Sequence, residues 1–172
     1  MKVIVYMGVT LDGFIAREDG STDFASAVEW DAYKNKIKEI GNVVMGRRTY
    51  NQMTKNNDSH IVEGATLVVV THDTDLKPTN GNMFVAHSPG EAVQILERRG
   101  FANALVGGGG IVNASFLEKG LVDELCLDLE PVVIGKGIRL FERARVDAKF
   151  ELLEVNKLSE SELQLRYRVL KD

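Results

Sequence analysis

Hydrophobic positions follow two rhythms along the chain. In "KVIVYMGV" (Lys2–Val9), apolar and β-branched residues occupy both alternations. That pattern predicts a central strand covered on both faces. After the turn "LDGF", the residues Trp30, Tyr33, Ile37 and Ile40 recur at spacings of 3, 4 and 3. They predict a helix from about Asp23 to Ile40 with one apolar stripe, stopped by Gly41. "NVVMG" reads as a second buried strand, and "RRTYNQM" starts a short helix with Thr49 as its N-cap. Ala65–His72 and Asn82–His87 are the third and fourth strands. "SPGEAVQILERRG" carries a full helix signature: Ser88 as N-cap, Pro89 at N1, Glu91 closing a capping box, Arg98 and Arg99 in the last turn, Gly100 as stop. "ANALV" is a fifth strand running into Gly107–Gly110, and Ile111–Lys119 is a helix ended by Gly120.

Beyond Gly120 the period becomes two. Leu125, Leu127 and Leu129 alternate with Cys126, Asp128 and Glu130. Leu163, Leu165, Tyr167 and Val169 alternate with Gln164, Arg166 and Arg168, after a hairpin loop at "KLSESEL". These are half-buried antiparallel strands, with the polar rows facing outward. The sum is an α/β fold: a three-layer αβα arrangement with a mostly parallel mixed sheet and a C-terminal antiparallel hairpin. With 172 residues, three prolines and no Ser/Gly/Pro-rich linker, the chain is expected to form a single domain, 1–172.

Charge narrows the partners. A net charge of −4 supplies no global basic field for nucleic acid or anionic membrane, so an anionic ligand must be held by local donors. No apolar run approaches the roughly 20 residues that span a bilayer. The N-terminus reads as a strand rather than a signal peptide. Cys126, the one cysteine, excludes an internal disulfide and suits a reducing compartment, so the chain is expected to be cytoplasmic.

Two strand–helix junctions carry chemical marks. At the first, Gly107, Gly108, Gly109 and Gly110 precede the helix that begins near Ile111. A helix N-terminus offers unpaired N–H groups and partial positive charge, and bare glycines let an anion touch them. At the second, Gly46 is followed by Arg47, Arg48 and Thr49, which add forked donors suited to phosphate. One such junction is commonly backbone geometry alone. Two together point to a ligand with separated phosphates, such as a dinucleotide. Val112 and Asn113 stand where G-x-G-x-x-G needs its third glycine, so that fingerprint is rejected, and no P-loop or G-x-S-x-G elbow occurs. His60, His72 and His87 lack ligand spacing, so no metal site is expected.

"VTLDGFIA", "VVMGRRTY", "LVGGGGIVNASFL" and "LVDELCLDLEPVVIGKGIRLF" stand in that order. Together they resemble the dihydrofolate reductase-like superfamily, in its small stand-alone branch related to the reductase domain of riboflavin biosynthesis. The resemblance implies NADPH-dependent hydride transfer to a small, pteridine- or pyrimidine-like substrate. Its alternatives are a 5-amino-6-(5-phosphoribosylamino)uracil reductase and a nucleotide-binding module without turnover. It implies pyrophosphate contacts at Gly107, Gly108, Gly109, Gly110 and Ile111. Phosphate contacts fall at Gly46, Arg47, Arg48 and Thr49, adenosine contacts at Thr71 and His72, and nicotinamide contacts at Gly8, Ile15 and Ala16. It also implies a homodimer.

Asp128 matches a pocket position of that superfamily, where it would orient or protonate a heterocycle; the alternative is a solvated strand residue. Dihydrofolate reductases place a substrate-binding carboxylate early in the first long helix. The matching position here is about Trp30, with Glu29 and Asp31 flanking it and expected to point elsewhere. Phe14 stands where riboflavin-pathway reductases usually show Lys. Trp30 reads as core or pocket lining, Asp12 as a turn residue, and Cys126 as core.

Overall fold

The computed structural model describes residues 1–171. In chain order the elements are β1 (Lys2–Thr10), β2 (Phe14–Ala16), α1 (Ala27–Ile40), β3 (Asn42–Gly46) and α2 (Arg47–Lys55). A short 3-10 helix (Asp58–Val62) leads to β4 (Thr66–Val70), β5 (Met83–Ala86), α3 (Pro89–Arg98), β6 (Asn103–Val106) and α4 (Gly110–Glu118). The chain closes with β7 (Glu124–Glu130), β8 (Ile138–Arg139), β9 (Lys149–Lys157) and β10 (Leu163–Leu170).

The main sheet has eight strands in the order β5-β4-β3-β6-β1-β7-β10-β9. It is parallel from β5 through β7, and β10 and β9 add antiparallel strands at one end. β1 is central, flanked by β6 and β7, which is why both of its alternations are apolar. Alternate side chains fill two cores. Val3, Val5, Val44, Val68 and Val106 meet Leu96 and Phe116 of α3 and α4. Tyr6, Val43, Met45, Val69 and Leu105 meet Ile37 of α1, with Tyr50 and Met53 of α2 alongside. Helices therefore cover both faces, as the period analysis predicts. β3 and β6 are paired at Val44 and Val106. The buried Asn42 amide links the same strands further along, donating to Asn103 O at 2.8 Å and accepting from Leu105 N at 3.2 Å.

Several boundaries differ from the sequence expectation. α1 begins at Ala27 rather than near Asp23, because Ser26 is its N-cap and accepts the Glu29 amide at 3.0 Å. Thr49 lies inside the first turn of α2, whose N-cap is Gly46. Thr71 and His72 lie just past the end of β4. The β2–β8 pair is a separate two-stranded sheet that no alternation announced. The largest difference is in β7, expected as an antiparallel strand: it runs parallel to its neighbour β1 and is antiparallel only to β10. Its polar row (Cys126, Asp128 and Glu130) is the deeply buried one, at 1–2% exposure, because the start of α1 lies over it. The Cys126 thiol sits in that row, and burial pushes it up to about 12.

Candidate active site

Both marked junctions open on one cleft of about 400 Å³ beyond the carboxyl ends of the parallel strands. They are bonded to each other: Gly46 N donates to Gly108 O at 2.8 Å, and Gly107 N donates to Val44 O at 2.8 Å. Of the residues singled out in the sequence, Gly8, Ile15, Ala16, Arg48, Thr49, Gly107 and Gly109 line the cleft. Gly46, Arg47, Gly108, Gly110, Ile111, Thr71, His72 and Asp128 do not line it. Ile111, the second residue of α4, is half exposed, and His72 is exposed beyond β4.

The glycines are bare partly for the protein's own sake. A Cβ on Gly107 would lie 2.1 Å from the Tyr33 hydroxyl oxygen, and one on Gly110 would lie 2.2 Å from Arg139 O. One on Gly46 would meet Val112 at 2.8 Å. Backbone and side-chain packing therefore asks for bare glycine at these positions, whether or not an anion also touches them. Gly107→Ala should therefore overpack the site, at a cost of about 1–3 kcal/mol. Adding Tyr33→Phe should recover much of that loss. Urea unfolding of the single and double variants checks it, and an equally unstable double variant would reject Tyr33 as the cause.

Other features suit a phosphate-bearing ligand. α1 and α3 are capped by the side chains of Ser26 and Ser88, whereas α2 and α4 start at Gly46 and Gly109 with no side-chain cap. The capless pair are the two helices at the cleft junctions, and their first-turn N–H groups have no intrahelical partner. Arg47 reaches Asp73 at 3.7 Å, yet its buried Nη1 has no hydrogen-bond partner. Arg48 stands on the cleft wall and is in no ion pair among the described residues. These donors fit a dinucleotide with an extra phosphate.

The sequence reading missed the acid of the cleft. Glu29, expected to point elsewhere, is 6% exposed and lines the cleft beside Trp30, Phe24 and Tyr33. Its carboxyl lies against bare Gly8, where a Cβ would approach Oε1 to 2.7 Å. Gly8, matched in the sequence to the nicotinamide segment, thus also makes room for this acid. Burial pushes Glu29 up to about 8, and the nearby Asp128, Glu130 and Glu162 carboxylates push in the same direction. Of the three carboxyls on the cleft wall, Asp19, Glu29 and Asp58, it is the buried one, and its raised proton affinity favours the protonated form at neutral pH.

Asp128, the sequence candidate, sits one layer behind. It is 1% exposed and accepts from the Tyr6 hydroxyl and, at 2.9 Å, from Gln164 Nε2. Burial raises its proton affinity, and those two hydrogen bonds pull it back in part. The solvated alternative is excluded, and so is direct lining of the cleft. Asp12 fastens a turn: it accepts from Thr10 Oγ1 at 2.6 Å and from Gly135 N at 2.7 Å. Among the described residues no group of three or more His, Cys, Asp or Glu side chains could hold a metal ion. No helix of the described residues is long and apolar enough to cross a membrane.

Comparison with known proteins agrees with this architecture. The chain superposes on a putative riboflavin biosynthesis protein from Shewanella sp. PV-4 with TM-score 0.82 and 22% identity, over 99% of this chain and 100% of that one. It superposes on dihydrofolate reductase from Enterococcus faecalis, solved with NADP(H), with TM-score 0.73 and 17% identity, over 99% and 97% of the two chains. At these identities the likeness shows the shared fold. In sequence, the uncharacterized Bacillus subtilis protein YwjB is 27% identical over 169 residues, covering 96% of this chain and 97% of that protein. The RibD C-terminal domain family matches residues 1–163, and the chain belongs to that family.

Proposed function

We propose that the protein is an NADPH-dependent reductase that delivers a hydride to the carbon of a C=N or C=O bond in a small nitrogen heterocycle of the pteridine or pyrimidine class. The observation that carries this reading is Glu29. Its carboxyl, whose burial raises its affinity for a proton, stands on the cleft wall, in the same cleft as two capless helix starts. Reduction of C=N needs one hydride on carbon and one proton on nitrogen. A bound nicotinamide would supply the hydride. The chain supplies the rest. The Glu29 carboxyl donates the proton to the ring nitrogen. Trp30 and Phe24 give the ring apolar walls and exclude water. Arg48, Thr49 and the first-turn amides of α2 and α4 would hold the cofactor phosphates.

Arg48→Ala should weaken NADPH binding about ten- to hundredfold, equivalent to about 1.5–3 kcal/mol, and leave NADH binding unchanged. Calorimetric titration reads both. Equal affinity of variant and wild type for NADPH would remove Arg48 from the phosphate site.

A second reading follows from the family: reduction of 5-amino-6-(5-phosphoribosylamino)uracil. One experiment separates the choices. NADPH oxidation is followed with pterins, free aminopyrimidines and the phosphoribosylated aminopyrimidine. Turnover of an unphosphorylated heterocycle supports the main reading. Turnover of the phosphoribosylated compound alone supports the second. Cofactor binding without any turnover would make the chain a nucleotide-binding module and overturn both.

The same reading includes a homodimer in the cytoplasm. Leu127, Leu129, Leu163, Leu165, Leu152 and Val155 share one face of β7, β10 and β9 by register. Leu152 and Val155 are about half exposed, at 52% and 51%. A second copy would cover this apolar face. Sedimentation equilibrium should return twice the chain mass, and a monomer at all concentrations would reject the dimer.

A further inference from the structure

Glu29 occupies an unexpected place for a residue of its kind. Ser26-Ala27-Val28-Glu29 is a capping-box sequence, with Ser at N-cap and Glu at N3. In a complete box the N-cap hydroxyl takes the N3 amide, and the N3 carboxylate reaches back to the N-cap amide. Here only the first half is local: Glu29 N donates to Ser26 Oγ at 3.0 Å. The second half is made by a different acid. Ser26 N donates to Glu130 Oε1 at 3.0 Å, from the last residue of β7.

The same molecule holds a control. In α3, Ser88 is the N-cap and Glu91 the N3 residue, with Glu91 N donating to Ser88 Oγ at 3.2 Å. No remote acid intrudes there, and the Glu91 carboxylate folds back to accept His87 N at 2.7 Å. An uncontested N3 glutamate in this protein thus turns onto the chain at its own helix start. Glu29 is contested, and it turns into the cleft.

Two features of the sheet make this possible. Gly8 pairs with Asp128 and Thr10 with Glu130 across β1 and β7, so Gly8 and Glu130 lie on one sheet face, two residues apart in register, beneath the start of α1. Gly8 leaves a hole for the Glu29 carboxyl. Glu130, 2% exposed, fills the position that would otherwise attract it. The charges facing Glu29 favour departure from the cleft. Asp128 and Glu130 of β7 and Glu162, just before β10, all disfavour a second negative charge there. Tyr6 and Tyr33 nearby carry no counter-charge, and none of the four acids forms an ion pair among the described residues. With Ser26 N free, the helix-start amide would be the better partner.

We propose that Glu130 is a positioning residue: by accepting the Ser26 amide it displaces Glu29 from its own capping box and holds the Glu29 carboxyl on the cleft wall. This rests on the reading of Glu29 as the working acid of the cleft, and it adds what aims that acid. The test is a set of crystal structures of Glu130→Ala, Glu130→Asp and Glu130→Gln, with thermal unfolding of each. In Glu130→Ala, and in Glu130→Asp with its shorter reach, the Glu29 carboxyl should move to Ser26 N and leave the space beside Gly8 empty. In Glu130→Gln the side-chain oxygen still accepts Ser26 N, so Glu29 should stay beside Gly8. Retention of Glu29 beside Gly8 in the Ala or Asp variant would overturn the proposal, and so would its departure in the Gln variant. If Glu130→Ala does not fold, the Asp and Gln pair decides. The structures need no substrate, so a protein that lacked NADPH binding yet moved Glu29 in this way would reject the reductase reading and keep this one.

Discussion

Glu29→Gln should lower turnover by about 10²–10⁴-fold, the range for loss of a positioned general acid. Glutamine keeps the volume, and it fills the space beside Gly8. It also keeps hydrogen-bonding capacity, so heterocycle binding should change far less than kcat. What it lacks is a proton to release. The working form of Glu29 is the protonated one, so wild-type activity should be high below about pH 8 and fall above it, where burial and the neighbouring carboxylates can no longer hold the proton. That alkaline limb should vanish in Glu29→Gln. Asp128→Asn should act more weakly, because Asp128 reaches the cleft only through its charge and through Tyr6. Steady-state kinetics across pH, with the heterocycle the protein reduces, measures all three. Full turnover in Glu29→Gln would remove Glu29 as donor.

Stability should fall as pH rises, starting in the mildly acidic range. Glu29 is raised from 4.5 to about 8 on folding, and Asp128 is raised as well. A raised acid binds its proton more tightly in the folded state. Its contribution is fully present below the unfolded pKa and is lost as pH climbs through the folded one. Between those limits each pH unit should remove about 1.4 kcal/mol per group of this kind. Asp12 works in the opposite sense on the acid side. Its hydrogen bond from Thr10 and those from the Gly135 and Ile134 amides hold it below its ordinary value, so its share is lost as pH falls. Glu29→Gln should flatten the alkaline slope and be the more stable protein at about pH 8. Urea unfolding of wild type and variant at a series of pH values reads the slope. An identical pH dependence in the two would mean that Glu29 is not the buried acid described here.

Much of the fold was legible because each layer follows a local rule. β1 is apolar on both alternations since strands flank it and helices cover it. Ser88, Pro89 and Glu91 set the start of α3 by capping chemistry that needs no tertiary partner. That the two glycine junctions stand side by side on one cleft was legible too, since the C-terminal ends of neighbouring parallel strands converge.

The acid of the cleft was not legible, for a physical reason. Ser26 and Glu29 carry a capping-box pattern, which by itself predicts that Glu29 is consumed by its own helix start. Only a contact from Glu130, 104 residues further on, changes where the carboxyl goes. The same long-range contact explains β7. Alternation places Asp128 and Glu130 on an outward row, and the start of α1 buries that row. The glycines misled in a different way. A run of four suggests an anion against bare backbone, yet Tyr33 and Arg139 already claim the space at Gly107 and Gly110. Sequence shows that something comes close, and only packing shows that part of it is the protein.

The central claim is that this cleft binds a nicotinamide dinucleotide through its extra phosphate. Calorimetric titration of the wild-type protein with NADPH and, separately, with NADH tests it most directly. The structure predicts one NADPH per chain and binding at least about tenfold tighter than NADH, the effect of one charge-assisted phosphate contact. Binding of neither cofactor would leave the fold intact and contradict the reductase assignment.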